Sequence, residues 1–575
     1  MSDDGSAEMF DRIRDAAGDK GIEAMFQHMM DLMSKVNLGK LESIRQEVNW
    51  EIEEERVKFI HDLYELTGDW MGKMTDLRAA KNVFKKEEME WLLTETAIGR
   101  YGDVLQRHQF LNFVIATGYK DEPKFDADGK PLVRRTTPIH HAARQDDIYA
   151  MVSDLFQIFD KFDVNYVDED GFTHYHAACQ SGLKDIVKKF LEHRQCPNYL
   201  VPKTGDSPLH LALLGGHKKT AELLLRNGAD PNSANKEGMT PLHVISQSEQ
   251  EDSAEMFFKI TDLKRKTVEV NARDRYGRAP LHYALRADSA DTGKIVQLLL
   301  SRGANPNLAD EEGSTPLHVI CQRDDDGYLC AKTFFKLNDE KYRPVKVDAE
   351  DKLGRTPLQL AVTNLQPILV DTFLRRWANL TRVVFPAEIK FPDGFEPRYK
   401  ENWLNVRFRL VSGALAVVDC LEKRGYEFDR GVAANVMRSF AEHDLFETPA
   451  RLEERWYDDD RFARWAKNLS LSEDNENLSL HDLMRSRPQE ATNTFTYMLY
   501  FKLACFDDYR LLPEPIRELS AKRLSEMMAR GFFRRWGLES LMELTRCRLT
   551  IDCCEIIVDE LVNKDLHSIC LAVLS

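Results

Sequence analysis

From Pro123 to Asn379 the apolar positions fall into a recurring two-part pattern. A run such as PLHLALL, from Pro208, is followed by a second, AELLLR, from Ala221. Apolar residues three and four apart on one side of each run predict a pair of short helices. A polar stretch bearing Gly and Asn separates each pair from the next and predicts a turn. The tetrapeptide that opens the first run recurs as TPIH at Thr137, THYH at Thr173, SPLH at Ser207, TPLH at Thr240, APLH at Ala279, TPLH at Thr315 and TPLQ at Thr356. Successive starts are 36, 34, 33, 39, 36 and 41 residues apart.

Each position in the pattern has a mechanical reason. The Thr240 hydroxyl suits a helix N-cap, and Pro241 fits the first turn, where no N–H is needed. Gly228 ends the second helix, where a left-handed residue is required. Leu223, Leu224 and Leu225 are placed to pack one repeat on the next. Asn232, Asn271 and Asn307 recur where the chain turns out into a hairpin, and Gly238, Gly277 and Gly313 close it. His243 holds a fixed slot, which predicts a structural ring bonded to backbone groups between repeats. This pattern resembles the ankyrin repeat, with its period of about 33 residues. The resemblance implies a mainly α fold: a solenoid of about seven helix-turn-helix repeats with β-hairpin loops, flanked by helical regions. It also implies that the chemistry is protein contact, made by the hairpin tips and inner helices on a concave surface.

Two copies are irregular. HVISQSEQEDSAEMFFKI and HVICQRDDDGYLCAKTFFKL lose the Gly-His turn and gain acidic inserts, and TDLKRKTVEV and NDEKYRPVKV read as lengthened loops. The tips are acidic at Asp168-Glu169-Asp170, Glu237, Asp310-Glu311-Glu312 and Glu350-Asp351. As a set they predict a basic protein target steered by charge.

The flanks carry helical periodicity without the repeat. Residues 1–118 read as a helical region that caps the first repeat, 119–384 as the repeats, 385–402 as a Pro- and Gly-bearing linker, and 403–575 as a second helical region with a polar break at SEDNEN. Of the 575 residues 43% are hydrophobic and 30% charged, with a formal net charge of −16. Such a balance disfavours general binding to nucleic acid. The N-terminus has no apolar signal core, and the longest apolar run, LVSGALAVV, is about half a bilayer span. Ten scattered cysteines, none in a CxxC pair, point to reduced thiols in a cytoplasmic or nuclear protein and to no metal or other cofactor. No Walker lysine loop, GxGxxG, HExxH or GxSxG is present, so no enzyme activity is expected.

The last stretch, RLTIDCCEIIVDELVNKDLHSIC, reads as two short amphipathic helices joined at Asn563, a good N-cap with Asp565 in the first turn. Small buried thiols at Cys553 and Cys554 suit a crowded helix start. The spacing resembles the start of an F-box. Leu549 stands at the first position, Asp552 at the acidic one, Ile557, Val558 and Leu561 at the apolar ones, and Asp565-Leu566 at the close; Thr550 replaces the family's proline. Repeats followed by such an element over 548–575 resemble the pox-protein ankyrin C-terminal (PRANC) family. That resemblance implies an adaptor: Leu549, Ile557, Leu561, Asp565 and Leu566 recruit the Skp component of a Skp–cullin–F-box ubiquitin ligase, and the repeats hold the target. The alternative is a scaffold or inhibitor that recruits nothing.

Overall fold

The computed structural model describes residues 38–68, 77–145, 149–248, 250–287, 292–323, 327–341, 343–390, 403–446, 456–468, 479–487, 490–491, 495–505 and 514–574. The acidic inserts at 249 and 324–326, the SEDNEN break and most of the expected linker lie outside them. The chain divides into two compact units, Met1–Arg275 and Tyr276–Ser575.

The first unit begins with α1 (38–47), α2 (Glu53–Gly68), α3 (Lys86–Ile98) and α4 (Val104–Ala116). Between α1 and α2 the chain is broken at Asn49, whose backbone amide donates to Glu55 Oε2 (2.7 Å). Four helix pairs follow: α5 (Pro138–Ala142) with α6 (Tyr149–Ile158), α7 (His174–Gln180) with α8 (Lys184–Glu192), α9 (Pro208–Leu214) with α10 (Lys218–Arg226), and α11 (Pro241–Gln247) with α12 (Glu251–Leu263). First helices stack on first helices and second on second, and α3 and α4 continue the stack onto α5 and α6. Leu209, Leu224, Ile245 and Phe257 are fully buried between these layers. The α3–α4 pair closes on the first repeat through Arg135, which donates to Glu90 Oε1 and Asp121 Oδ1 (2.9 Å each) while Tyr166 Oη–H donates to Asp121 Oδ2 (2.7 Å).

The second unit holds three more pairs: α13 (Pro280–Arg286) with α14 (Thr292–Ser301), α15 (Pro316–Cys321) with α16 (Tyr328–Glu340), and α17 (Pro357–Thr363) with α18 (Pro367–Arg375). The helices α19 (Trp403–Glu422), α20 (Arg430–Glu442), α21 (Asp460–Asn468), α22 (Leu480–Arg485), α23 (Tyr497–Cys505), α24 (Glu514–Leu544), α25 (Ile551–Glu560) and α26 (Asn563–Leu574) complete it. The last pair is covered by α19, which lies so close that a Cβ on Gly413 would stand 2.8 Å from the Leu365 carbonyl oxygen. The start of the expected linker is packed as well: Phe385 is buried with its ring 5.4 Å from that of Phe428.

Two expectations are corrected. The hairpins form no strands among the described residues; they are tight turns with isolated bridges, such as Arg134 to Val167 and Val167 to Thr173. The irregular repeats lengthen a helix as well as a loop. Both α12 and α16 run 13 residues, against nine in α8, α10 and α18, so TDL and NDE belong to the helices. The cations that follow cap the preceding repeat. Lys266 Nζ donates to the Gly228 and Ala229 carbonyls (3.3 and 3.0 Å), and Arg343 donates to the Leu300 and Ala304 carbonyls (3.1 and 3.2 Å). A positive side chain is favoured at a helix C-terminus, where carbonyls lack intrahelical partners.

Candidate protein-interaction surfaces

The repeat surface is built from a histidine outward. Thr173 N–H donates to His176 Nδ1 (3.2 Å), and His176 Nε2–H donates to the Tyr199 carbonyl (2.6 Å), which leads into the next repeat. The same pair of bonds joins His140 to Thr137 and Tyr166, and His210 to Ser207 and Met239. In the second unit it joins His282 to Ala279 and Ser314, and His318 to Thr315 and Arg355. With Nδ1 accepting, the proton stands on Nε2 and the ring is neutral. Burial holds the pKa of His140 and His176 down at about 4. The hydroxyl caps differ from the expectation at Thr240 and at two sites like it. Thr173, Ser207 and Thr356 accept an amide N–H of their own helix. Thr137, Thr240 and Thr315 accept none, and their Oγ1 bonds only to the Nδ1 of His140, His243 and His318 (2.9, 2.9 and 2.8 Å) or to a neighbouring ring.

Each histidine fixes the base of a turn whose tip is set by two further residues. Asp168 Oδ1 accepts the amides of Asp170 and Phe172, Asn235 Oδ1 those of Glu237 and Met239, Asp310 Oδ1 those of Glu312 and Ser314, and Asp351 Oδ1 those of Leu353 and Arg355, all at 2.8–3.0 Å. Successive tips are then joined by backbone bonds, Lys236 N to Thr204 O (3.0 Å) and Arg275 N to Glu237 O (2.8 Å) in the first unit, Lys352 N to Glu312 O (2.9 Å) in the second. Glycine is required where they meet. Gly238 has φ 78°, and a Cβ there would stand 2.9 Å from Arg275 N. Asn232 and Asn307 clasp the next repeat from below, Asn232 Nδ2 donating to the Thr267 carbonyl and Asn307 Nδ2 to that of Pro344 (2.7 Å each).

This geometry sorts the acidic tip residues. Asp168 is buried, and its second oxygen takes Arg144 at 2.5 Å. Asp310 holds its own turn, with Arg278 at 3.9 Å. Asp170 pairs with Arg144 and Lys203, and Glu237 with Arg275. Glu169, Glu311 and Glu312 are exposed. The sequence-level tally of acids therefore overstates the free negative charge, because a carboxylate that caps a turn and one that faces solvent look the same in the chain.

The C-terminal surface is a helical hairpin laid on α24. Cys554, Val558, Leu566 and Cys570 are buried, and α25 and α26 both pack on α24. Leu549, Ile551, Ile556 and Ile557 are 36%, 51%, 66% and 38% exposed. Leu561 is half-buried and Asp565 exposed. Of the five positions expected from the sequence to meet an adaptor, Leu549, Ile557 and Asp565 are exposed, Leu561 is half-buried and Leu566 is turned inward. Cys554 is buried as expected, but Cys553 is exposed. Asn563 does not cap its own helix: its Nδ2 donates to the Glu526 carbonyl (3.0 Å) and its amide to Glu526 Oε1 (3.1 Å). Arg530, which nothing in the chain's periodicity marks, donates to the carbonyls of Val558, Asp559 and Leu561 (2.9, 3.1 and 2.5 Å) and so caps α25 from the side.

Among the described residues no cluster of His, Cys, Asp and Glu is arranged to hold a metal ion, and no helix is long and apolar enough to cross a membrane. A family model for ankyrin repeats matches residues 139–235, 194–267, 209–310 and 287–381. Neurogenic locus notch homolog protein 1 of Mus musculus is 29% identical over 181 residues, 31% of this chain and 7% of its own length. The transient receptor potential cation channel subfamily A member 1 homolog of Caenorhabditis elegans is 27% identical over 192 residues, 33% of this chain and 15% of its own length. The crystal structure of the ankyrin repeat domain of Bcl-3, titled a unique member of the IkappaB protein family, is 23% identical, covering 37% of this chain and 89% of that one, with a TM-score of 0.31. The chain thus spans a small part of its curated relatives' length. Its middle third and more is made of ankyrin repeats, with helical regions on either side.

Proposed function

We propose that this protein is an adaptor: its ankyrin repeats hold a protein target, and its terminal helical hairpin recruits the Skp component of a Skp–cullin–F-box ubiquitin ligase. Residues 1–118 then serve as the cap of the repeats, 119–384 as the target-binding part and 403–575 as the recruiting part. The observation that carries the reading is the exposed apolar edge of Leu549, Ile551, Ile556 and Ile557 on a hairpin already folded and fixed to α24. Large apolar side chains grouped in this way on a surface favour a partner. Catalysis would belong to the recruited complex, and this chain would need no cofactor. Ten cysteines with no disulfide among them support a reducing compartment, cytoplasm or nucleus.

The test uses the full chain and a purified Skp-type adaptor. Leu549→Ala with Ile557→Ala should remove capture and lower the thermal melt only slightly, because each side chain is more than a third exposed and neither belongs to the buried core. Capture that survives the double substitution would sink the recruiting role. The inward placement of Val558 and Leu566 favours a second reading, a scaffold whose hairpin merely packs. Failure of the unaltered chain to capture the adaptor would decide for it.

A further inference from the structure

We infer that the terminal hairpin, α25 with α26, is a releasable latch, and that the partner takes hold of its inner as well as its outer face; this rests on the reading of the hairpin as a recruiting element. The hairpin is apolar on two sides. One side, Cys554, Val558, Leu566 and Cys570, is covered by the chain's own α24 and, along α26, also by α20; outside it Leu549, Ile551, Ile556 and Ile557 are open. A helix pair that only packed would have a polar outer face. Release of the hairpin would bring Val558 and Leu566 to the surface beside Leu549 and Ile557.

Two features suit release. The covering contact is an imperfect seal: Asn563 Oδ1, His567 Nε2 and Trp536 Nε1 are buried with no hydrogen-bond partner among the described residues. Unsatisfied buried groups weaken the docked arrangement relative to one in which water reaches them. The docked state leans instead on a polar clasp, made by Arg530 on three carbonyls, Glu526 on Asn563, and Arg534 on Asp559 (2.7 Å). Such bonds are exchanged for water without loss of the helices themselves.

A partner that binds only the released hairpin meets an apparent affinity reduced by the fraction released. A lock therefore reads the mechanism directly. Ser540 Oγ on α24 lies 3.5 Å from Cys570 Sγ on α26, so Ser540→Cys places a thiol within disulfide reach of a native cysteine, neither being a contact position. The oxidised variant should bind the adaptor at least tenfold more weakly than the same protein after reduction. In the unaltered chain, amides of 551–574 should exchange with deuterium well before those of 514–544, and Arg530→Met should raise both the exchange and the capture. Equal binding by the oxidised and reduced variant, or exchange of 551–574 only together with 514–544, would overturn the latch. If the chain captures no adaptor in either redox state, the recruiting reading fails, and the exchange comparison still decides whether the hairpin is released.

Discussion

Acid should loosen the first unit through its buried histidines, and the amount can be worked out. His176 is neutral and enclosed, with a pKa of about 4 in place of the ordinary 6.5. An unfolded chain binds a proton there as the pH falls below 6.5; the folded chain does not until about 4. Stability from this residue is fully present above 6.5 and is lost progressively between 6.5 and 4. At about 1.4 kcal/mol per pH unit, the loss is about 3 kcal/mol. His140, also at about 4, adds a similar amount in the same unit. The general rise in positive charge acts on the same scan, so the clean experiment is differential. The seventh repeat carries Gln359 in the histidine slot, with Nε2 donating to the Val384 carbonyl at 2.9 Å, so a glutamine is sterically acceptable there. His176→Gln should cost little at pH 7.5 and gain on the unaltered chain by about 3 kcal/mol by pH 4, read by urea unfolding at half-unit pH intervals. Parallel stability curves for the two proteins from pH 7 to 4 would refute the argument that a buried neutral ring carries the pH dependence.

Leu224→Ala, at a fully buried position of α10, should cost about 2–5 kcal/mol by thermal or urea unfolding, with faster hydrogen exchange in α8 and α12 as well. Gly238→Ala should cost more than about 1 kcal/mol by thermal melt, since the residue would be left-handed and its Cβ would press on Arg275 N. Glu311→Ser with Glu312→Ser should slow target association and flatten its salt dependence, measured by surface-immobilised kinetics; adding Asp310→Ser should lower the melting temperature, because that carboxylate holds the turn.

Much of this was legible in the chain, for identifiable reasons. The helix pairs and their number follow from a spacing that only a helix satisfies, and the histidine slot follows from its recurrence beside a capping hydroxyl. The extension of α12 and α16 was not legible. A polar stretch such as TDLKRK is compatible with either a loop or another helical turn, and what decides is Lys266 reaching the carbonyls of the previous repeat, a contact about 37 residues away in the chain. At the C-terminus the helices were legible and their orientation was not. With Cys554, Ile556, Ile557 and Val558 all apolar, periodicity alone cannot say which of them meets α24.

The turn at each tip depends on one Asp or Asn that accepts two amides and one left-handed glycine. The residues between them differ from tip to tip: Glu169-Asp170, Lys236-Glu237, Glu311-Glu312, Lys352-Leu353. The positions that set the conformation are therefore separate from the positions that vary. Such a molecule can change its partner by a few substitutions that leave folding untouched, and a library randomised only at those paired positions would consist almost wholly of folded members.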